Sequence, residues 1–532
     1  MYNQGLFSSW VPKLVQLLLI IIFISIIIPV NGIYSGALSY MVSDTGYSSE
    51  YFVWANYASI IGMSAAMPLL LRFKFRFKIR DKSVIIFLII ALLSYVNGTT
   101  DNAYLIVANT LIIGFAKMIL MIEFIIPIMM MIAPDGNRGK FYSVFYPFSI
   151  GLSQLAGYVL TVVASDHNWQ YVHLISAVVC LAMALLAWIF MHDKYFGFIM
   201  RLYYIDWISI VLFVAVFMSG AYVFAFGKLL DWFNSNAIIN VSIFSFISFV
   251  LLVIRQYTTA RPYLSFSVFK RANVLHGLLM LIFLGMFLST GGMQSIFTSG
   301  ILKYSAVQNA SLNLMMIPGI VVSGFYMAYW FKKDRGLKMF IFLGFAAMLA
   351  NTIILYFSMA MELDFSAWVL PMFLKGFGMG ALFISVWYYT LDNISMDEML
   401  PVAALVLAWR TFFTVGLFSA IFGYLQYHFQ IQAVGDMAVY LDGNSFSTNQ
   451  IMGNLKSIQL NAILAANKKL LGYVCIAGIG ILLYVLSYNF GVKRFKLMPI
   501  VPLDKRRYSK RFRNRLRNKQ LKQIEDAAGA MI

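Results

Sequence analysis

The sequence predicts an all-α polytopic membrane protein, and three observations carry that reading. Its 532 residues are 61% hydrophobic and only 11% charged, a balance outside that of soluble globular domains. Apolar runs of about eighteen residues or more recur along the whole chain. Lys and Arg concentrate in alternate connections, the asymmetry that orients membrane helices.

Fourteen runs are long enough to cross a hydrocarbon core of about 30 Å at about 1.5 Å per residue. Segment 1 (14–37) is too long for a signal-peptide core. Pro29, Asn31 and Tyr34 stand where a small-residue cleavage site would fall, so it reads as a retained helix. Segments 2 to 6 cover 51–71, 83–99, 103–132, 142–164 and 170–191. Segments 7 and 8 cover 204–227 and 236–255. Segments 9 to 14 cover 274–298, 308–330, 337–360, 366–390, 400–427 and 468–492. The longest connection, 428–467, is polar, rich in Gly, Asn and Ser around 442–446, and helix-like near 455–465. It is too short for an independent catalytic domain.

Even-numbered connections are basic. That after segment 2 holds Arg72, Lys74, Arg76, Lys78, Arg80 and Lys82. Later ones hold Arg138 and Lys140, then Arg255, Arg261, Lys270 and Arg271, then Lys332, Lys333, Arg335 and Lys338. Odd-numbered connections carry Asp44, Glu50, Asp101, Asp166, Glu362 and Asp364 with few bases. Both termini are therefore expected in the cytoplasm, in a bacterial inner membrane. One inside connection, 392–398, has three acids and no base. The tail from Lys493 holds thirteen Lys/Arg against three acids, about half of the +19 net charge. Its expected partner is anionic lipid, at about 1 kcal/mol per basic residue, and no nucleic acid is invoked. Cys180 and Cys475 lie in apolar runs and give neither a disulfide framework nor a metal site. No cofactor is expected.

Charges inside spanning segments are the candidates for chemistry, because each is costly in lipid. Segment 4 carries Lys117 and Glu123. Six residues along a helix place Glu123 about 9 Å deeper and about 120° round from Lys117, so neither is expected to be the other's sole partner. Pro127 removes the amide that would pair with the Glu123 carbonyl. Glu123 reads either as a proton site on a cavity wall or as a buried ion pair that fixes packing. Lys117 carries the same two readings. Segment 12 carries Lys375 within Lys375-Gly-Phe-Gly-Met-Gly380, where Gly376 and Gly380 form a close-packing face. Arg410 lies too deep in segment 13 to reach water easily and needs a carboxylate or several carbonyls. Pro29, Asn31 and Gly32 in segment 1, and Ser289–Gly292 with Gln294 in segment 9, mark helix breaks that line a cavity or serve packing. His173 and His276 lie near segment ends, where a hydrated histidine is expected. The 31 Met and 17% aromatic residues suit a large apolar pocket.

Several landmarks, in order, resemble the 14-helix drug:proton antiporters of the major facilitator superfamily. Asn168-Trp-Gln-Tyr-Val-His173 opens segment 6, and Asp206-Trp207 opens segment 7. Asp231-Trp232 precedes segment 8, and the stretch from Arg261 to Asn273 precedes segment 9. Pro134–Lys140 joins segments 4 and 5, and Trp409-Arg-Thr411 lies in segment 13. The resemblance implies an N-terminal six-helix half (1–200), two inserted helices (201–260), a C-terminal half (261–495) with an outer loop at 428–467, and a basic tail (496–532). It implies a central cavity lined by segments 1, 4, 9 and 12. The family's acid in helix 1 is replaced near Val30-Asn31, and its Arg in helix 4 falls at Asn109-Thr110. The loop after segment 2 lacks the family's Gly and Asp, and segment 5 lacks the signature proline beside Gly151 and Gly157. Lys117 and Glu123 are candidate replacements.

The expected function is secondary active transport: proton-coupled export of amphipathic small molecules or drugs by a monomer. Alternatives are a transporter of a lipid or endogenous metabolite, a non-transporting scaffold, and an integral-membrane enzyme. The last lacks a surface cluster of catalytic groups, since 392–398 offers acids without a base or nucleophile. The site candidates are Glu123, Lys117, Lys375, Arg410, Asn31 and Gln294.

Overall fold

A computed structural model describes residues 5–490 except 135, 196–201, 203–204, 260–261, 334–335, 393, 395, 439–447 and 489. The basic tail lies outside the described residues.

The first segment is broken. α1 (Lys13–Ile27) stops ahead of Pro29, and residues 28–34 run irregularly through Gly32 at φ +77°. This left-handed conformation suits a residue without Cβ. A turn at Ser35–Ala37 leads into α2 (Leu38–Thr45). α3 (Ser49–Ala66) and α4 (Leu70–Arg76) are joined by a 3-10 turn at Met67–Leu69. Next come α5 (Ile79–Thr99) and α6 (Ala103–Ile132). The Asn102 side chain caps α6 by accepting from the amides of Tyr104 and Leu105. α7 (Arg138–Asp166) and α8 (Trp169–Phe190) complete the first group.

α9 (Trp207–Phe226) begins at Asp206. That carboxylate accepts from the Ser209 amide and hydroxyl and pairs with Arg255 at 3.0 Å, tying α9 to α10 (Asn236–Thr258). α9 also packs against α3: Trp54 Nε1 donates to the Met218 carbonyl at 3.0 Å. Ile243, Phe244, Phe246, Ile247 and Phe249 of α10 are exposed, an apolar face fit for lipid.

α11 (Ala272–Ile296) continues into a π turn, Phe297–Ile301. It runs unbroken through Ser289–Gly292, so the break expected there stands one to two turns later. α12 (Ala306–Leu314) and α13 (Ile317–Lys332) form the next element, followed by α14 (Lys338–Ser358) and α15 (Val369–Thr390). α16 (Met396–Trp409), a π turn at Arg410–Gly416 and α17 (Leu417–Ala438) form another. α18 (Thr448–Ser487) is a single 40-residue helix. The expected 428–467 loop is thus mostly helix: α17 and α18 extend into it from both sides, and only 439–447 lies outside the described residues. Its polar side chains masked helices that carry on past the apolar run.

Twelve of the described helical spans are long and apolar enough to cross a membrane. The other two expected segments coincide with α1, of 15 residues, and α5, of 21. The chain is an all-helical, multi-pass membrane protein.

Two close crossings repeat. A Cβ on Gly62 of α3 would stand 2.1 Å from the Leu111 carbonyl oxygen, and one on Gly114 of α6 would stand 1.9 Å from that of Ser59. Between α13 and α15 the pattern recurs: a Cβ on Gly319 would stand 2.1 Å from the Phe373 oxygen, and one on Gly376 2.1 Å from the Met316 oxygen. Each helix pair meets backbone to backbone, as small residues allow. Gly114-Phe115 and Gly376-Phe377 therefore hold equivalent places in their helices.

Candidate functional site

Lys117 and Asn31 are brought together. The Lys117 ammonium donates to the Ile28 carbonyl and to Asn31 Oδ1, both at 2.6 Å. Both acceptors belong to the irregular stretch after α1, where the lost helix frees the Ile28 carbonyl. The same break is held from other sides. The Gly32 carbonyl accepts from Asn97 Nδ2 at 3.0 Å and from the Thr110 hydroxyl at 3.4 Å. Asn109 Nδ2 donates to Asn97 Oδ1 at 2.8 Å. Where the resembled family has an acid and an arginine, this chain has a neutral amide cluster and one buried lysine.

α15 carries a counterpart. Lys375 of α15 is buried and donates to Gln294 Oε1 of α11 at 3.0 Å. Aligning Gly114 with Gly376 puts Lys375 one turn nearer the helix start than Lys117. α6 and α15 thus each carry a buried ammonium bonded to a side-chain amide oxygen, Asn31 after α1 and Gln294 of α11. Gly291 faces Lys375: a Cβ there would meet only Lys375 Nζ, at 3.7 Å.

Glu123 stands apart from this arrangement. Its carboxylate is fully buried and takes Lys82 at 2.5 Å on one oxygen and Lys74 at 3.3 Å on the other. Two of the six basic residues after segment 2 thus fold inward from α4 and α5 to grip α6. This is the packing alternative for Glu123. Neither lysine had a sequence signal beyond its place at the edge of an apolar run.

Arg410 begins the π turn, and its guanidinium lies over the Phe383 ring, 4.6 Å from the centroid. The carboxylate or carbonyls expected for it are not found among the described residues. An aromatic face takes their place. Tyr146 of α7 and Trp387 of α15 also meet here, with ring centroids 6.3 Å apart, so α7 and α15 touch beside Arg410.

His173 corrects another expectation. It is fully buried, and neither ring nitrogen has a hydrogen-bond partner. A Cβ on Gly98 would stand 3.1 Å from His173 Cβ, so α5 presses on α8 and shuts water from the helix end. His276 is half-buried and bonds the Tyr484 hydroxyl through Nδ1. One acid of 392–398 also finds a role: Glu398 pairs with Arg271 at 2.6 Å, offsetting the basic connection before segment 9. Among the described residues no three His, Cys, Asp or Glu side chains converge as a metal site.

The landmarks of segments 6 and 7 are structural. Trp169 Nε1 donates to Asp44 at 2.7 Å and Gln170 Nε2 to the same oxygen at 3.1 Å, clamping α8 to the end of α2.

No protein-family model matches the chain. The probable multidrug resistance protein EmrY of Escherichia coli (strain K12) is 26% identical over 188 residues, 35% of this chain. The match spans 36% of that relative's length, about a third. Solved structures match far more of the chain. A proton-dependent oligopeptide transporter aligns with a TM-score of 0.55 at 12% identity, covering 88% of this chain and 97% of its own. The nucleoside transporter NupG gives 0.53 at 11%, with 89% and 99% covered. The xylose transporter XylE from E. coli, in a partially occluded inward-open conformation, gives 0.50 at 12%, with 90% and 98% covered.

Proposed function

We propose that this chain, which has the fold of the major facilitator transporters, is a secondary active transporter of amphipathic small molecules that works by alternating access. The observation that carries the reading is the matched placement of Lys117 with Asn31 and Lys375 with Gln294. One polar pair in each half lies where two six-helix repeats would enclose a cargo near mid-membrane. We take the spanning count as fourteen, with α9 and α10 inserted between the halves and both termini in the cytoplasm. The multidrug name of the E. coli relative and the resemblance of the landmarks support export driven by proton influx. Glu123, gripped by Lys74 and Lys82, acts in this reading as an anchor for the connection between α4 and α5, not as the proton site.

The test is uptake into inverted vesicles under an imposed pH gradient. Wild type is expected to accumulate at least one amphipathic compound when the interior is acidic, and Lys117→Gln to lose most of that uptake. Uptake that is the same with and without the gradient would remove proton coupling from the reading. A chain that moves no compound under any gradient is not a transporter of this kind.

A further inference from the structure

Resting on the transporter reading, we propose that the cargo is an organic anion. Its carboxylate, sulfonate or phosphate head docks on the buried ammoniums of Lys117 and Lys375, and its apolar body lies against the aromatic wall beside Arg410. The argument is one of unbalanced charge. Glu123 is the one fully buried carboxylate among the described residues, and Lys74 and Lys82 occupy both its oxygens. Lys117, Lys375 and Arg410 are left without an acid: no described carboxylate lies within 4.0 Å of any of them.

Their remaining hydrogen bonds point the same way. An ammonium has three donors. Lys117 spends two, on the Ile28 carbonyl and Asn31, and Lys375 one, on Gln294. Neutral amide oxygens orient a lysine without cancelling its charge, so both ammoniums stay available to an anion. Arg410 is likewise left without an acid, its guanidinium lying over the Phe383 face eight residues along α15 from Lys375. Gly291 carries no side chain into the space beside Lys375 Nζ. Tyr146, Phe383 and Trp387 supply an apolar wall for the body of the molecule. A cation at either lysine would meet a like charge and no counter-charge.

The test uses the full chain reconstituted in liposomes, with four probes: 1-naphthalenesulfonate, phenyl phosphate, phenyltrimethylammonium and inorganic phosphate. Saturable uptake of the two aryl anions is expected, with phenyltrimethylammonium and inorganic phosphate at background. Lys117→Gln and Lys375→Gln should each cut aryl-anion uptake at least tenfold, and Lys375→Arg should retain it. Wild-type selectivity needs no variant to fold. Uptake of phenyltrimethylammonium with both aryl anions inert overturns the anion inference and leaves the transporter reading standing. Uptake of inorganic phosphate without the aryl anions overturns the apolar body. Aryl-anion uptake unchanged in both glutamine variants overturns the docking site. No uptake of any probe, in either orientation or gradient, overturns both this inference and the transporter reading.

Discussion

Replacing Glu123 with Gln should do more harm than replacing either lysine that holds it. In the wild type the carboxylate lies between two ammoniums, 2.5 Å from Lys82 and 3.3 Å from Lys74, with all three side chains buried. Glu123→Gln leaves two buried like charges with no acid. Breaking a buried pair by deleting one partner costs about 3–5 kcal/mol. Lys74→Met removes the more distant cation and leaves a neutral Lys82–Glu123 pair, so its cost is about 1–2 kcal/mol. For a cooperative unit the size of one half, about 2–4 °C accompanies each kcal/mol. Glu123→Gln should then melt about 6–20 °C lower and Lys74→Met about 2–8 °C lower. The assay is fluorescence-detected melting of the detergent-solubilised protein at one fixed scan rate, because large membrane proteins unfold irreversibly. Equal shifts for the two variants, or an unshifted Glu123→Gln, would refute the triad as the anchor. So would a Glu123→Gln protein that melts like wild type but has lost gradient-driven uptake.

Other expectations follow from the same geometry. Gly114→Ala and Gly376→Ala each drive a Cβ into a carbonyl oxygen, at 1.9 and 2.1 Å, and should cost about 1–3 kcal/mol. Gly157→Ala meets nothing within 4 Å and should melt like wild type; equal melting of all three refutes the close crossings. Trp169→Phe deletes the bond to Asp44, worth about 1.5–3 kcal/mol for a charged acceptor, and an unchanged melting point would remove that clamp. Burial alone would raise the Asp206 carboxyl, but the hydrogen bonds from Ser209 and Arg255 outweigh it and hold the group below the usual carboxylate range. Its stabilisation is therefore present above the unfolded value of about 3.9 and lost as pH falls through the lower folded value. Asp206→Asn should melt lower than wild type at pH 7, and the gap should narrow as the pH falls below the unfolded value of about 3.9; a gap that stays constant as the solution is acidified contradicts the assignment.

The helices were legible because burial in lipid leaves a long apolar run for each crossing: twelve expected positions fall on spans long and apolar enough to cross, while segment 1 is α-helical only over Lys13–Ile27 at its start. Ends were harder. The polar residues of 428–467 hid the extensions of α17 and α18, since helix outside the lipid needs no apolar run. Lys117, Asn31, Lys375 and Gln294 stood out as polar groups in apolar surroundings, and the structure pairs them. The further partner of Lys117 was not legible, because Ile28 contributes a main-chain oxygen, nor was Asn97, which reaches the Gly32 carbonyl from another helix. Glu123 looked solitary for the same reason: Lys74 and Lys82 read as members of a basic surface loop, and only the fold turns them inward. His173 read as hydrated because its place near a helix end is visible in sequence, while the glycine that lets α5 close over it is not.

The paired glycine crossings have a mechanical consequence. At Gly62 with Leu111, Gly114 with Ser59, Gly319 with Phe373 and Gly376 with Met316, main chains meet with no side chain between them. A side chain can swing aside when two helices slide; a peptide carbonyl cannot. Such close main-chain contact resists shear of α3 along α6 and of α13 along α15. Compliance is left to the places where the helical ladder is already interrupted: residues 28–34 and the π turns at 297–301 and 410–416. Two of these three joints adjoin a candidate binding residue, Asn31 at the first and Arg410 at the last, so loading the site and bending the molecule draw on the same few peptide units.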